Sequence, residues 1–423
     1  MEADRSEKAR GLKFDMHVAG ESDSSIVPVK PANKGGVPPP AESAEGRGLT
    51  KENAGQLLLD WTQRQNADGS PFVPRSRGLL GVREAAQKDK KLKFTSLLHH
   101  LTPELLRASF FDLKKQAAPG IDGETWHDYA RDLERRIDDL HGRIHRGAYR
   151  AKPSKRTYIP KADGKMRPLG IAALEDKIVQ QAARTVLECI YEQDFLGFSY
   201  GFRPGRSPHR ALDALFVGVT KRKVNWIIEA DTRGFSGNTS HQRPLNFLAQ
   251  RIPTKGGTPQ GAVISPLYAN VFLHYVLDLW INEWRQRHAH GEVILVRYAD
   301  DFVIGFREES DARNCLAALA ERLTKFGLEL HPEKTRLIEF GRYAEERRAK
   351  RGNGPPETFD FLGFTHISGK TRRGDFTIHR KTSRKKFQAK LADLKGKLAR
   401  RIHDDLAKVG AWLQSVFRGW CQY

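Results

Sequence analysis

The segment EVILVRYADDFVIGF, residues 292–306, most constrains how this chain can fold. Two aspartates, Asp300 and Asp301, separate two short apolar runs that are rich in β-branched and aromatic residues. Such runs favour buried strands, so the pair is predicted at or beside the tip of a β-hairpin. Adjacent carboxylates repel each other unless a cation neutralises them, and Mg²⁺ prefers carboxylate oxygens. A solvated acidic turn is the alternative interpretation.

The charge balance indicates the kind of partner. The 423 residues include 72 lysines and arginines against 51 aspartates and glutamates, a formal net charge of +21. This excess favours a polyanionic partner. No apolar run approaches the roughly 18 residues that span a bilayer, and the amino terminus lacks the apolar core of a signal peptide. We therefore expect a cytoplasmic protein with no membrane partner.

The three cysteines indicate the redox environment and argue against a zinc site. Cys189, Cys315 and Cys421 are odd in number and lie far apart without Cys-x-x-Cys pairing. This pattern favours a reduced protein that lacks both a disulfide framework and a thiolate zinc site.

Three segments differ in composition. Residues 1–90 are polar and interrupted by prolines and glycines, which predicts a disordered leader. Residues 91–365 mix helical periodicities with short strands in no regular βαβ order, which predicts an α+β fold. Residues 366–423 are basic, and apolar residues at three- and four-residue steps predict an amphipathic helix over 387–402.

A third carboxylate could complete a cation site. Asp231 follows the apolar run WIIEA and is predicted where strand 225–230 ends. If that strand lies beside the 293–306 hairpin, Asp231 and Asp300 can bridge two Mg²⁺ ions about 3.5–4 Å apart, as in two-metal displacement at phosphorus. The alternative for Asp231 alone is a strand-end cap or a loop acid.

Two further motifs carry complementary groups. In IPKADGKMRPLGI, Lys161, Lys165 and Arg167 surround a hairpin turn predicted at Asp163-Gly164. These cations could close over a triphosphate, and the forked donors of arginine suit its oxygens. A soluble strand edge is the alternative. In GGTPQGAVISP, a glycine-rich turn enters a helix, and Gln260 could donate to a sugar or a base.

The order of these motifs resembles the reverse transcriptases encoded by group II introns, of the bacterial type. The basic hairpin, the strand aspartate, Gly-x-Pro-Gln-Gly, Tyr-Ala-Asp-Asp and GLELHPEKT occur in that order, together with APGIDG, FSYGFRPGRSPHRAL and FDFLGF. The resemblance runs from about Leu92 to the end of the chain. It implies a right-hand polymerase, with fingers and palm over 91–365 and an incomplete helical thumb, or maturase region, over 366–423.

The resemblance also implies an activity and its partners. These are RNA-directed DNA polymerisation with two Mg²⁺ ions (Mn²⁺ as a substitute), deoxynucleoside triphosphates, an RNA template with a DNA primer, and intron RNA. Asp231 and Asp300 would hold the metals, with Asp301 a more peripheral third acid. The residues implied to bind the nucleotide are Lys161, Arg167, Phe235, Ser236, Gln260 and Lys334.

The residues implied to bind RNA or primer are Arg203, Arg206, Phe361, Leu362, Gly363, Lys370, Arg372, Arg373, Arg380, Lys381, Arg384, Lys385 and Lys386. Alternatives stay open for several of them. Lys334 could be a solvated lysine, FLGF (361–364) could be core packing, and the basic segment could be an ordinary solvated helix face.

The chain departs from the family pattern in three places. Ser236 stands where an aromatic gate against ribonucleotides is usual, with Phe235 before it and Gly237 in place of the following acid. The interval from Asp231 to Gly257 is about half of the family's, which predicts an internal deletion in the palm. The sequence ends at Tyr423, which predicts a truncated thumb without an HNH endonuclease.

These departures leave two rivals to the polymerase, a non-catalytic RNA-binding maturase and a degenerate inactive remnant. The early end also predicts that Trp412, Val416, Phe417 and Trp420 form a partly exposed apolar stripe.

Overall fold

A computed structural model of the chain describes residues 77–160, 166–233 and 261–421. Its helices and strands are mixed along the chain, which confirms the α+β prediction. The helices are α1 (Arg77–Lys88), α2 (Pro103–Asp112), α3 (Trp126–Ala130), α4 (Leu133–His145), α5 (Leu174–Tyr191), α6 (Pro208–Lys221), α7 (Ser265–Leu273), α8 (Leu279–Arg287), α9 (Glu309–Thr324), α10 (Ala344–Lys350), α11 (Arg384–Ala399) and α12 (Leu406–Cys421). The strands are β1 (Lys155–Pro160), β2 (Met166–Ile171), β3 (Trp226–Ala230), β4 (Thr232–Arg233), β5 (Val293–Tyr298), β6 (Asp301–Phe306), β7 (Glu329–Leu330), β8 (Arg336–Glu339), β9 (Phe359–Phe361), β10 (Phe364–Lys370) and β11 (Phe376–Thr382).

The first helices pack around one apolar core. Thr102 caps α2, since its Oγ1 accepts a hydrogen bond from the Leu105 N–H at 3.3 Å. Helix α1 lies inside the segment predicted to be a leader, yet its Leu79 and Val82 are buried in the same core as α2 and α5. The predicted boundary at residue 90 is therefore wrong, because packed structure begins earlier.

Strands β1 and β2 form the predicted antiparallel hairpin, with Lys155 opposite Ile171 and Pro160 opposite Met166. The predicted turn residues Lys161 to Lys165 lie outside the described residues.

A four-stranded antiparallel sheet in the order β5-β6-β3-β8 forms the centre of the fold. The pairing of strand 225–230 with the 293–306 hairpin, which is the condition for a shared cation site, is present, since β3 lies directly beside β6. Ile228 of β3 packs in a core that includes residues of α9, whereas its neighbour Ile227 packs in another core with residues of α6. Because core side chains cover both faces of the sheet, the sequences of these strands are continuous apolar runs.

The long helix before the acidic hairpin contains a π-helical turn. The sequence predicts a helix with Val271, Phe272, Tyr275, Leu279 and Trp280 along one stripe, but residues His274–Asp278 separate α7 from α8 as a π-helix. Tyr275 is 47% exposed, so it does not share the burial of Val271. The wider turn rotates the helix face, because each π-turn takes one extra residue.

The carboxyl-terminal region begins with a second sheet. Strands β9, β10 and β11 form a three-stranded antiparallel sheet, and the predicted domain boundary at 365 falls inside β10. Helix α11 begins before and ends before the predicted 387–402 helix, and its apolar Phe387 and Leu391 are 41% and 44% exposed. The Phe387 ring meets Trp420 of α12 with ring centroids 5.5 Å apart, so the two helices cover each other only in part.

In the part of the chain that the structure describes, none of the helices has the length and apolar character to cross a membrane.

Candidate active site

The two aspartates lie at the predicted hairpin tip. Tyr298 pairs with Asp301, which leaves Ala299 and Asp300 as a two-residue turn between β5 and β6. Ala299 has a positive φ of 57°, as in a type II′ turn, where glycine is the usual residue at this position. We call residues 298–301 the acidic turn. Its alanine holds a backbone conformation that L-residues adopt only when surrounding contacts impose it.

Asp231 lies across from the acidic turn. Ala230 pairs with Phe302 as the last pair of the antiparallel β3–β6 ladder. Asp231 directly follows this pair on one strand, and Asp301 directly precedes it on the other. Both line a cleft of about 530 Å³, which we call the acidic cleft, and which Lys334, Phe361 and Gly363 also line.

The acids of the acidic cleft repel one another. Burial, then Asp300, then Asp231 raise the pKa of Asp301 to about 6, whereas Lys386 and Lys334 act in the opposite direction. The side chain of Asp301 opens onto the cleft. The three carboxylates therefore share one electrostatic environment, and a cation there would relieve their repulsion.

Lys334 neutralises part of this charge. Its Nζ lies 2.5 Å from Oδ2 of Asp231, and the backbone of the same turn reaches Asp231 through a 2.8 Å hydrogen bond from the His331 N–H to the Asp231 carbonyl oxygen. The predicted nucleotide-binding lysine is thus beside a predicted metal-binding acid.

Residues of the acidic cleft have the chemistry for a divalent cation. Two carboxylates that line the cleft, with a third acid in the adjoining turn, supply the oxygen donors that Mg²⁺ prefers. Among the described residues, however, no group of three or more His, Cys, Asp or Glu side chains is arranged to hold a metal ion. The donor set and its unbalanced charge fit the ion, and the metal-binding roles of Asp231, Asp300 and Asp301 stay predictions.

The FLGF segment forms the turn between β9 and β10. Phe361 pairs with Phe364, and Leu362 and Gly363 have φ values of 51° and 85°, the signature of a type I′ turn. Phe361 is buried in the core, so its side chain follows the core-packing alternative. Leu362 and Gly363 line the acidic cleft, where Lys386 lies against the glycine.

Arg203 is inside the protein, which makes its predicted contact with RNA wrong. Its side chain lies in the interior, where Nη2 donates to Glu192 Oε2 at 3.0 Å and Nη1 to the carbonyl oxygens of Leu196 and Ser199, each at 2.8 Å. A sequence motif does not distinguish an arginine that braces a loop from one on the surface.

Arg206 braces the same loop. It donates to the carbonyl oxygen of Gly197, its guanidinium lies 5.0 Å from the centroid of the Tyr200 ring, and burial lowers its pKa to about 10.

The basic carboxyl-terminal cluster is on the surface. Its eight members, all exposed, are Lys370, Arg372, Arg373, Arg380, Lys381, Arg384, Lys385 and Lys386. Two of them have acidic neighbours, since Lys370 lies 3.0 Å from Glu345 and Arg380 lies 3.2 Å from Asp213. Their contact with RNA stays a prediction.

Several predicted nucleotide-binding residues are not described. Lys161, Phe235, Ser236 and Gln260 lie outside the described residues, as does most of the interval predicted to contain a deletion. Arg167 pairs with Ile159 in the β1–β2 hairpin.

One group that the sequence reasoning missed lies directly behind the acidic turn. Arg297 of β5 is fully buried and forms an ion pair with Asp278 of the π-helical turn, with 2.6 Å between Nη2 and Oδ2. The available signal was a charged residue inside an apolar strand, since such residues are almost never fully buried unless paired.

Comparison with known proteins supports the resemblance. Residues 159–366 match the family model described as reverse transcriptase (RNA-dependent DNA polymerase). Protein YkfC of Escherichia coli (strain K12) is 29% identical over 355 residues, which are 69% of this chain and 88% of that protein. Group II intron-encoded protein LtrA of Lactococcus lactis subsp. cremoris is 28% identical over 298 residues, which are 60% of this chain and 48% of LtrA.

An uncharacterized 91 kDa protein in the cob intron of Schizosaccharomyces pombe is 29% identical over 225 residues, 46% of this chain and 27% of that protein. The chain therefore spans about half the length of LtrA and less of the yeast protein. Together the matches support a reverse transcriptase of the intron-encoded type, with the palm and fingers fold of that family.

Proposed function

We propose that this protein is an RNA-directed DNA polymerase of the group II intron type, which extends a DNA primer on an RNA template in the cytoplasm. One observation carries the proposal: Asp231 and Asp301 line the same cleft at the end of the β3–β6 ladder, with Asp300 in the adjoining turn. Acids from separate parts of the chain thus converge on one cleft.

In this proposal, Asp231, Asp300 and Asp301 hold two Mg²⁺ ions, or Mn²⁺ in their place. When bound, the ions supply charge stabilisation for an in-line attack of a 3′-hydroxyl on the α-phosphate of a deoxynucleoside triphosphate. Lys334 is close enough to the acids to protonate the leaving pyrophosphate. Leu362 and Gly363 support the primer end from the far wall of the cleft.

The test is extension of an oligo(dT) primer on poly(rA), comparing the protein with Asp300→Asn. Asp360→Asn is the matched control, because Asp360 lines the same cleft but belongs to β9. We expect extension to fall to background in Asp300→Asn and to persist in Asp360→Asn. Equal, background-level extension by all three proteins would remove the polymerase proposal.

A non-catalytic maturase is the second candidate, and the exposed basic cluster favours it. Phosphate contacts by such a cluster predict binding of intron RNA that weakens steeply with salt. Salt-sensitive RNA binding without any extension would support this candidate. A broad, non-cooperative melting transition would instead indicate the degenerate remnant.

The gate prediction has its own test. With Ser236 in place of an aromatic residue, the polymerase should discriminate weakly between deoxyribonucleotides and ribonucleotides. Strong rejection of ribonucleotides in the poly(rA) assay would contradict it.

A further inference from the structure

Arg297 uses every donor that it has. Nε and Nη2 donate to the two carboxylate oxygens of Asp278 at 2.7 and 2.6 Å, and Nη2 also donates to Ser199 Oγ at 2.7 Å. Nη1 donates to Asn270 Oδ1 at 3.0 Å and to the carbonyl oxygen of Ala299 at 2.9 Å. A guanidinium has five N–H donors in a fixed fork, so its orientation is fully determined.

One of these five bonds reaches the acidic turn itself. Ala299 is the residue with the positive φ of 57°, and its carbonyl group belongs to the peptide bond that joins it to Asp300. A backbone in this region persists when surrounding contacts over-determine it. The bond from Arg297 is such a contact, since it ties the strained residue to a fully buried side chain.

The loop that contains Arg203 also packs against the acidic turn. A Cβ built on Gly201 would lie 2.2 Å from the backbone nitrogen of Ala299, so the two backbones are in close contact. The Asn270 side chain links this loop to Arg297, because its Nδ2 donates to the Gly201 carbonyl oxygen at 2.6 Å while its Oδ1 accepts from Arg297.

The π-helical turn presents the partner of Arg297. Asp278 is the last residue of that turn and is fully buried. A buried ion pair is weak evidence for stability, since well-packed apolar residues often replace one without loss. The π-helical turn and the buried ion pair lie behind the same strained turn. Together they therefore indicate that Arg297 and Asp278 fix the backbone geometry of the acidic turn.

We propose that Arg297 and Asp278 are positioning residues, which hold the acidic turn in the conformation that presents Asp300 to the acidic cleft. The catalytic role of these two residues rests on the proposed function, whereas the rigidity of the turn can be measured without any activity. Groups that orient metal-binding residues typically change activity or metal affinity by about 10- to 100-fold when they are altered.

The test compares Arg297→Lys and Asp278→Asn with Asp311→Asn. Asp311 is an equally buried carboxylate, 1% exposed, but it accepts from the backbone N–H groups of His290 and Gly291 at 2.9 Å, away from the acidic turn. Hydrogen–deuterium exchange of the amides of residues 298–302 is the main readout. We expect it to accelerate about tenfold or more in the first two variants and to stay unchanged in Asp311→Asn.

The second readout is primer extension as a function of Mg²⁺. Arg297→Lys and Asp278→Asn should lower kcat about 10- to 100-fold and raise the Mg²⁺ concentration for half-maximal rate, with little change in the KM for dTTP. A purely structural role would lower the melting temperature in all three variants without these local effects. Unchanged exchange of the acidic turn in folded Arg297→Lys and Asp278→Asn would overturn the proposal.

Ser199→Ala keeps the proposal testable if the stronger variants fail to fold. It removes one of the five hydrogen bonds of Arg297 at a fully buried site, so exchange of the acidic turn should accelerate several-fold. Unchanged exchange there would count against the proposal. If the wild-type protein extends no primer, the polymerase function fails, but the exchange data still decide whether Arg297 holds the turn.

Discussion

The backbone of Gly363 lies against the side chain of Lys386, so that a Cβ built on the glycine would come within 2.0 Å of Nζ and 2.6 Å of Cε. Lysine is flexible and can swing aside, so an alanine at 363 would displace Lys386 from the acidic cleft. We expect Gly363→Ala to weaken primer–template binding several-fold and to destabilise the protein by about 1–2 kcal/mol, because residue 363 has a positive φ. Fluorescence anisotropy and urea unfolding measure the two effects.

Gly374→Ala is the matched control. Gly374 has a φ of 86° and no heavy atom within 4 Å of a built Cβ, so alanine there meets the same backbone penalty without displacing a lysine. Equal nucleic-acid affinities of the two variants would show that Lys386 has no part in binding.

The ion pair between Lys334 and Asp231 is half-exposed, and such pairs contribute no more than about 1 kcal/mol to stability. We expect Lys334→Met to keep its stability within that margin while its extension rate at saturating nucleotide falls about 100-fold, through loss of a proton donor. Rapid-quench kinetics measure the rate. Lys350→Met, which removes an exposed pair with Glu346 at 2.7 Å, should leave extension unchanged. A full rate in Lys334→Met would exclude the role in proton transfer.

His366 makes stability depend on pH. It is buried against the Phe359 ring, with 4.8 Å between the ring centroids, and burial followed by Arg380 lowers its pKa to about 4. The unfolded state, with a pKa of about 6.5, binds the proton more readily, so the stabilising effect is complete above pH 6.5 and is lost as the pH falls towards 4. This amounts to about 2–3 kcal/mol between pH 7 and pH 4.5.

We expect His366→Phe, which retains a stacked ring, to reduce the loss of unfolding free energy on acidification by that amount. Urea titrations at the two pH values measure it. The wild-type protein, unfolded in parallel at both pH values, supplies the reference. An unchanged slope in His366→Phe would assign the pH dependence to other groups.

The basic cluster should determine how RNA binding responds to salt. Each lysine that contacts a phosphate contributes about 0.7–0.9 to the slope of log K against log salt. We therefore expect the double variant Lys381→Gln, Lys385→Gln to lower that slope by about 1.4–1.8, measured by filter binding over a salt series. Lys350→Gln with Arg313→Gln removes the same charge from residues already paired with Glu346 and Glu309. If both doubles change the slope equally, binding depends on net charge alone.

The sequence was sufficient for the central hairpin, because strands buried on both faces read as continuous apolar runs and charged residues between them mark the turn. It also identified the pairing of strand 225–230 with this hairpin as the condition for a cation site, and the pairing of β3 with β6 meets that condition. It did not predict the π-helical turn, because one extra residue in a turn does not visibly change the residue pattern of an apolar helix. The interior position of Arg203 was missed for a related reason, because its partners Glu192, Leu196 and Ser199 are defined by the path of a loop.

The pairing of Ala230 with Phe302 has a consequence for how the chain can change over evolution. Opposed residues in an antiparallel ladder have Cα atoms about 4.5–5.5 Å apart, so this pair fixes the separation of the two strands where Asp231 and Asp301 adjoin it. Side chains in the surrounding core can be substituted without altering that separation. A one-residue slip of β3 would turn Asp231 to the opposite face and misplace the apolar residues of the strand at the same time. A variant that keeps this sheet folded therefore also keeps Asp231 and Asp301 together at the end of the β3–β6 ladder.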